Sequence, residues 1–183
     1  MNEHLRIKKK AAIIRHKQIA EKVSSFIAEP GPPRFIADVM LGKPAKWLRI
    51  SGFDVLYSNK FSDDELVRIS DSEGRVLLSR DIRLLLRKAV RHFIFLESQD
   101  LQDQIRQVFK ALNLETVPSL LTRCLSCNEA LRDTPPDAVR DAVPPFVFET
   151  QKVFKSCPKC GKIFWAGTHR NSVVQNLGKL TGK

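Results

Sequence analysis

Apolar positions in the first segment recur at a helical period. Leu5, Ala12, Ile19 and Phe26 are spaced by seven, with Val23 and Ile27 beside them, while Lys9, Lys10, Lys17 and Lys22 fall elsewhere. Residues 5–28 are therefore expected as an amphipathic helix, and Gly31-Pro32-Pro33 ends it as a linker. Such a helix either docks on its own domain or serves as an RNA- or partner-binding arm.

The next hundred residues alternate between short apolar runs and helical patterns. The runs Phe35–Met40, Phe53–Tyr57, Arg75–Ser79 and His92–Leu96 read as buried strands. Between them, Gly42–Ser51 is expected as a helix with Ala45, Leu48 and Ile50 inward, ended by Gly52. Ser62 caps a second helix with Glu65 three residues on, and Gly74 stops it. Asp81–Val90 and Ser98–Asn113 supply two more. Strands buried on both sides and separated by helices imply a parallel sheet in a three-layer α/β sandwich. Further on, Phe146–Glu149 and Lys162–Trp165 read as strands of a smaller unit.

Composition changes this picture little, but charge does. The chain has 183 residues and a net charge of +11, unevenly placed. Residues 1–33 carry seven Lys/Arg against three acids, residues 34–151 seventeen of each, and residues 152–183 seven bases and no acid. A neutral centre between two basic ends suggests a polyanion partner, since phosphate binding favours clustered Lys/Arg; the plainer alternative is a solubilising charge. No window approaches the ~18 apolar residues of a membrane span. Lys8–Lys10 precede a short apolar run that His16 and Lys17 interrupt too early for a signal peptide. The expected address is the cytoplasm, with no membrane partner.

The four cysteines, Cys124, Cys127, Cys157 and Cys160, form two CxxC pairs. Two tight loops that each aim two thiolates at one ion complete the tetrahedron zinc accepts. Asn128 and Gly161 follow the pairs, and both residue types tolerate the positive φ such a loop needs. A structural, closed zinc ribbon at 119–170 is expected, followed by a basic tail at 171–183. A redox dithiol and an iron–sulfur cluster are the alternatives.

In an open parallel sheet, functional groups gather beyond the C-terminal strand ends. Reading those ends gives Asp38, then Asp63 and Asp64, then Asp81, then Asp100. Carboxylates brought together repel one another unless a cation neutralises them, and Mg²⁺ or Mn²⁺ prefers oxygen ligands. Such a site suits phosphodiester hydrolysis. Asp63, Asp81 and Asp100 also stand at helix N-termini, where an acid is ordinary. Asp38 reads as an acid inside an apolar strand, which asks for a site, and Asp38 with Asp81 is the expected Mg²⁺ or Mn²⁺ pair. Lys43, Lys46 and Arg80 lie near the same edge and suit a phosphate substrate; the run Arg83, Arg87, Lys88, Arg91 has the ordinary reading of a solvated face.

The segments FIADVMLGKPAKWLRISGFDVLYSN, SDDEL and GRVLLSRD, followed by LTRCLSCN, VPPFVFET and CPKCGKIFWAGTH, resemble the Mut-seven C-terminal RNase domain family, a PIN-like group. The likeness covers roughly residues 34–170. It implies a PIN-like nuclease domain at 34–118 with a zinc ribbon behind it. It also implies metal-dependent RNA cleavage by an acidic cluster of Asp38, Asp63 or Asp64, Asp81 and Asp100, and draws His169 in as a substrate contact. The expected function is a ribonuclease for single-stranded RNA. The competing expectation is a non-catalytic RNA- or ribosome-binding protein; a toxin-like role fits the ribbon and the helix less well.

Overall fold

The apolar runs become four short strands: β1 (Arg34–Ala37), β2 (Asp54–Tyr57), β3 (Val76–Ser79) and β4 (Phe93–Phe95). The structure, a computed structural model, describes residues 31–114 and 119–165. The expected N-terminal helix, the basic tail and His169 lie outside those residues. The strands pair in parallel in the order β2-β1-β3-β4. Among the described residues, no helix is long and apolar enough to cross a membrane.

Because side chains alternate along a strand, the sheet buries two faces. Phe35, Ala37, Val76 and Leu78 pack on one side with Ala45 and Leu48 of α1 (Gly42–Ile50) and with Ile105, Val108 and Phe109 of α4 (Leu101–Ala111). Ile36 and Leu77 pack on the other with Leu66 of α2 (Asp63–Glu73) and with Leu84 and Leu85 of α3 (Ile82–Leu85). Phe53 sits edge-on between Phe35 and Phe109, at centroid distances of 5.6 and 5.9 Å, an arrangement that suits the ring quadrupoles.

Local signals set several boundaries. Ser62 and Glu65 form the reciprocal capping box, and Gly74 ends α2 at φ 60°. Gly52 turns the chain out of α1 at φ 89°, and a Cβ there would lie 2.1 Å from the Ser119 carbonyl oxygen. That contact is where the chain returns toward the cysteine loops, with the Leu121 N–H bonded to the Ile50 carbonyl.

Three expectations need correction. β1 ends at Ala37, so Asp38 is not within a strand; it caps the 3-10 turn Val39–Leu41. The helix expected over 81–90 is the four-residue α3, after which Arg87 and Val90 bond back through turns. Residues 146–149 are not a strand but belong to α5 (Pro145–Thr150), where Pro145 at the first helical position suits its fixed φ.

The second unit is an antiparallel sheet, β5 (Arg132–Thr134), β6 (Phe154–Ser156) and β7 (Ile163–Trp165), in that order. It has a small core of its own in Val139, Val143 and Phe154.

Candidate active site and metal centre

The parallel register brings the ends of β1 and β3 side by side, with Ala37 opposite Leu78. The next residue, Asp38, donates its N–H to the Leu78 carbonyl at 3.0 Å, which fixes its backbone against β3. Asp38 as a residue is only 4% exposed. Oδ1 accepts from the Val39 N–H at 2.6 Å, and Oδ2 accepts from Ser79 Oγ at 2.5 Å. Ser79 is fully buried, and its Oγ in turn accepts the Asp81 N–H at 2.9 Å. One hydroxyl thus joins Asp38 and Asp81 across the sheet edge, donating to one and accepting from the other. Asp81 Oδ1 accepts the Arg83 N–H at 2.8 Å.

Asp38 has no ion-pair partner among the described residues; its bonds come from neutral donors. A buried carboxylate without a countercharge is costly unless a cation or proton supplies one. Between Ser79 and Asp81 stands Arg80, whose Nε is buried without a hydrogen-bond partner. Lys43 and Lys46 are exposed at the start of α1, five and eight residues after Asp38.

The other acids are placed differently. Asp63 and Asp64 both face Arg87, at 3.1 and 2.5 Å. Asp100 caps α4 by accepting the Gln102 and Asp103 N–H groups at 2.8 and 3.1 Å. Beside it opens a shallow cavity of about 480 Å³ lined by Glu97, Ser98, Asp103, Arg106, Gln107 and Lys110. The edge therefore joins Asp38 to Asp81. Among the described residues, no third carboxylate completes a group able to hold one ion.

The cysteines do form such a group. Their Sγ atoms all lie within 4.8 Å of one another, with Cys124–Cys160 at 3.6 Å and Cys127–Cys157 at 3.4 Å. A zinc tetrahedron with Zn–S bonds of ~2.3 Å has edges of about 3.8 Å, so this donor set could hold a metal such as zinc. The two loops repeat one bonding pattern. The Cys124 N–H reaches the Glu129 carbonyl at 2.8 Å and the Cys157 N–H the Lys162 carbonyl at 2.9 Å; Asn128 and Gly161 each bond back to the first cysteine at 2.9 Å. Asn128 and Gly161 have φ of 68° and 70°, as the loop requires. Burial and the crowding of neighbouring thiols push Cys127 up to about 12. Cys157, which burial alone would raise, is brought down to about 7 by the Cys160 N–H and neighbouring thiols.

A polar seam joins the first cysteine loop to the sheet, and the sequence reading missed it. Arg49, inward on α1, donates Nε to the Val55 carbonyl at 2.9 Å and Nη1 to the Leu125 and Ser126 carbonyls at 3.0 and 3.2 Å. The Asn128 side chain accepts the Val55 N–H at 2.9 Å and donates to Asp54 at 2.7 Å. Arg75 meets the same carboxylate at 2.6 Å. Burial opposes the Asp54 charge, but the Arg75 and Asn128 hydrogen bonds outweigh it and hold the carboxyl below its ordinary range. The visible signal was an arginine at an inward position of an amphipathic helix.

No curated protein and no solved structure matches the chain significantly. A family model does: that of the Mut7-C RNAse domain, over residues 33–177. The match spans the parallel sheet, the acidic edge and both cysteine loops, and the family is one of nuclease-like domains for which RNA is the implied substrate. The chain belongs to the Mut7-C RNAse domain family.

Proposed function

We propose that the protein is a metal-dependent ribonuclease that hydrolyses single-stranded RNA at the C-terminal edge of its parallel sheet, in a PIN-like arrangement. The observation that carries this reading is the buried Asp38 carboxylate, linked through Ser79 to Asp81 and lacking a cationic partner among the described residues. The pair fits two ligands of an Mg²⁺ or Mn²⁺ ion, with water and phosphate oxygens to fill its other positions.

In the reaction a water oxygen bonds to phosphorus, one P–O ester bond breaks, and the leaving alkoxide takes up a proton. A divalent cation, when bound, lowers the pKa of that water and offsets charge on the phosphate. Lys43 and Lys46, both exposed, supply charge for the flanking phosphates. The four cysteines hold a structural zinc, and a thiol site of this kind fits a reducing compartment, so the cytoplasm is the proposed location.

A second reading, RNA or ribosome binding without cleavage, draws support from the pairing of Asp63 and Asp64 with Arg87, which keeps two acids from the edge. Cleavage of a single-stranded RNA in Mn²⁺ decides between them. Asp38→Asn and Asp81→Asn should each reduce the rate at least a hundredfold, about 2.7 kcal/mol of transition-state stabilisation, while melting like the parent. Wild-type rates in a folded Asp38→Asn protein would sink the nuclease reading.

A further inference from the structure

The described part of the parallel-sheet unit leaves two large apolar side chains well exposed, and they are neighbours: Val39 at 38% and Met40 at 54%. Both stand on the 3-10 turn that Asp38 caps. Scattered exposed apolar residues are ordinary, but this pair is fixed in place. The Asp38 carboxylate holds the Val39 N–H, and the Leu41 N–H returns to the Asp38 carbonyl at 2.8 Å. Tyr57 Oη donates to the Val39 carbonyl at 3.0 Å. Leu41 is buried beneath, and Gly42 lets the Tyr57 ring pass, since a Cβ there would lie 2.7 Å from its Oη. A turn so restrained cannot fold its apolar side chains inward; it presents them beside the acidic edge.

We infer that Val39 and Met40 form the platform on which a nucleobase of a single-stranded RNA rests when the adjacent phosphate lies at Asp38 and Asp81. The inference builds on the nuclease reading and names where the base goes. Every base offers an apolar face, so such contacts favour unpaired strands without reading sequence. The thioether is polarisable and adapts to an aromatic ring. The charge around the turn suits the occupant, because Lys43 and Lys46 are exposed on the helix that follows it.

The test uses the full chain and a short uridine oligonucleotide, beside a strand of equal length with abasic nucleotides throughout. Binding is measured by fluorescence anisotropy in Ca²⁺, without chelator so that any cysteine-bound metal is kept, and cleavage in Mn²⁺. Met40→Ala should bind the base-bearing strand about fivefold more weakly, leave the abasic strand unchanged, and raise KM with kcat held. Met40→Leu should recover most of the affinity. Equal affinity of Met40→Ala and wild type for the base-bearing strand would overturn the platform. So would an equal loss on both strands, or a change in sedimentation, which would mean that a second copy covers the turn. Absence of cleavage by the wild type bears on the nuclease reading instead, and the binding arms still decide the platform.

Discussion

Ser79 Oγ lies 2.5 Å from Asp38 Oδ2 and is the atom through which the ends of β1 and β3 share their polar chemistry. A fully buried hydroxyl that both donates to one acid and accepts from the backbone of the next leaves neither acid free to choose its position. Ser79→Ala should therefore cost about 1–3 kcal/mol, because a buried carboxylate loses a donor and the Asp81 N–H loses an acceptor. Cleavage should fall at least tenfold, while Ser79→Thr, which keeps the hydroxyl, recovers most of it. Rates and urea midpoints for both variants check this; a normal rate in Ser79→Ala would show that the bridge does not position the acids.

Metal removal should be felt in the parallel sheet as well as in the cysteine loops. Asn128 belongs to the first loop and holds the Val55 N–H. Chelation should raise hydrogen exchange at Val55, besides releasing the antiparallel sheet. Asn128→Ala should lower the melting temperature by about 4 °C with metal still bound, from roughly 1–2 kcal/mol in a chain of this size. Unchanged protection of Val55 in the metal-free protein would show that the seam stands without the ion.

Asp54 makes stability depend on pH in one direction. Its carboxyl is held below the ordinary range in the folded protein, so its contribution is complete above the unfolded value of about 4. It is lost as pH falls through the lower folded value. Asp54→Asn should destabilise the protein by about 2 kcal/mol at neutral pH and flatten the acid limb of the stability curve. Urea midpoints measured from neutrality down through that acid range test this, and parallel curves for the two proteins would contradict it.

The elements most legible in the sequence were those fixed by local chemistry. Ser62 with Glu65, Gly74, and the positive φ of Asn128 and Gly161 each declare a geometry within a few residues. Asp38 was misplaced because an apolar run continues past the strand: Val39 and Met40 look like strand residues but face outward on a turn. Residues 146–149 carry aromatic side chains that suggested a strand, and the helix start set by Pro145 overrode that preference. β5, with the sequence Arg-Asp-Thr, has no apolar pattern and forms because β6 lies beside it. The family was legible in the motif order. Arg49 was not, since its partners Leu125 and Ser126 lie far along the chain and no local rule points to them.

The seam at Val55 has a consequence for association. β2 is the last strand on its side of the sheet, and both backbone groups of Val55 are engaged, the N–H by Asn128 and the carbonyl by Arg49. An unpaired strand edge is an open template on which another chain can add a strand. Here an incoming segment would first have to evict the first cysteine loop. The cysteine unit therefore acts as a guard on the rim of its neighbour, and anything that loosens its first loop would leave that rim able to recruit other chains.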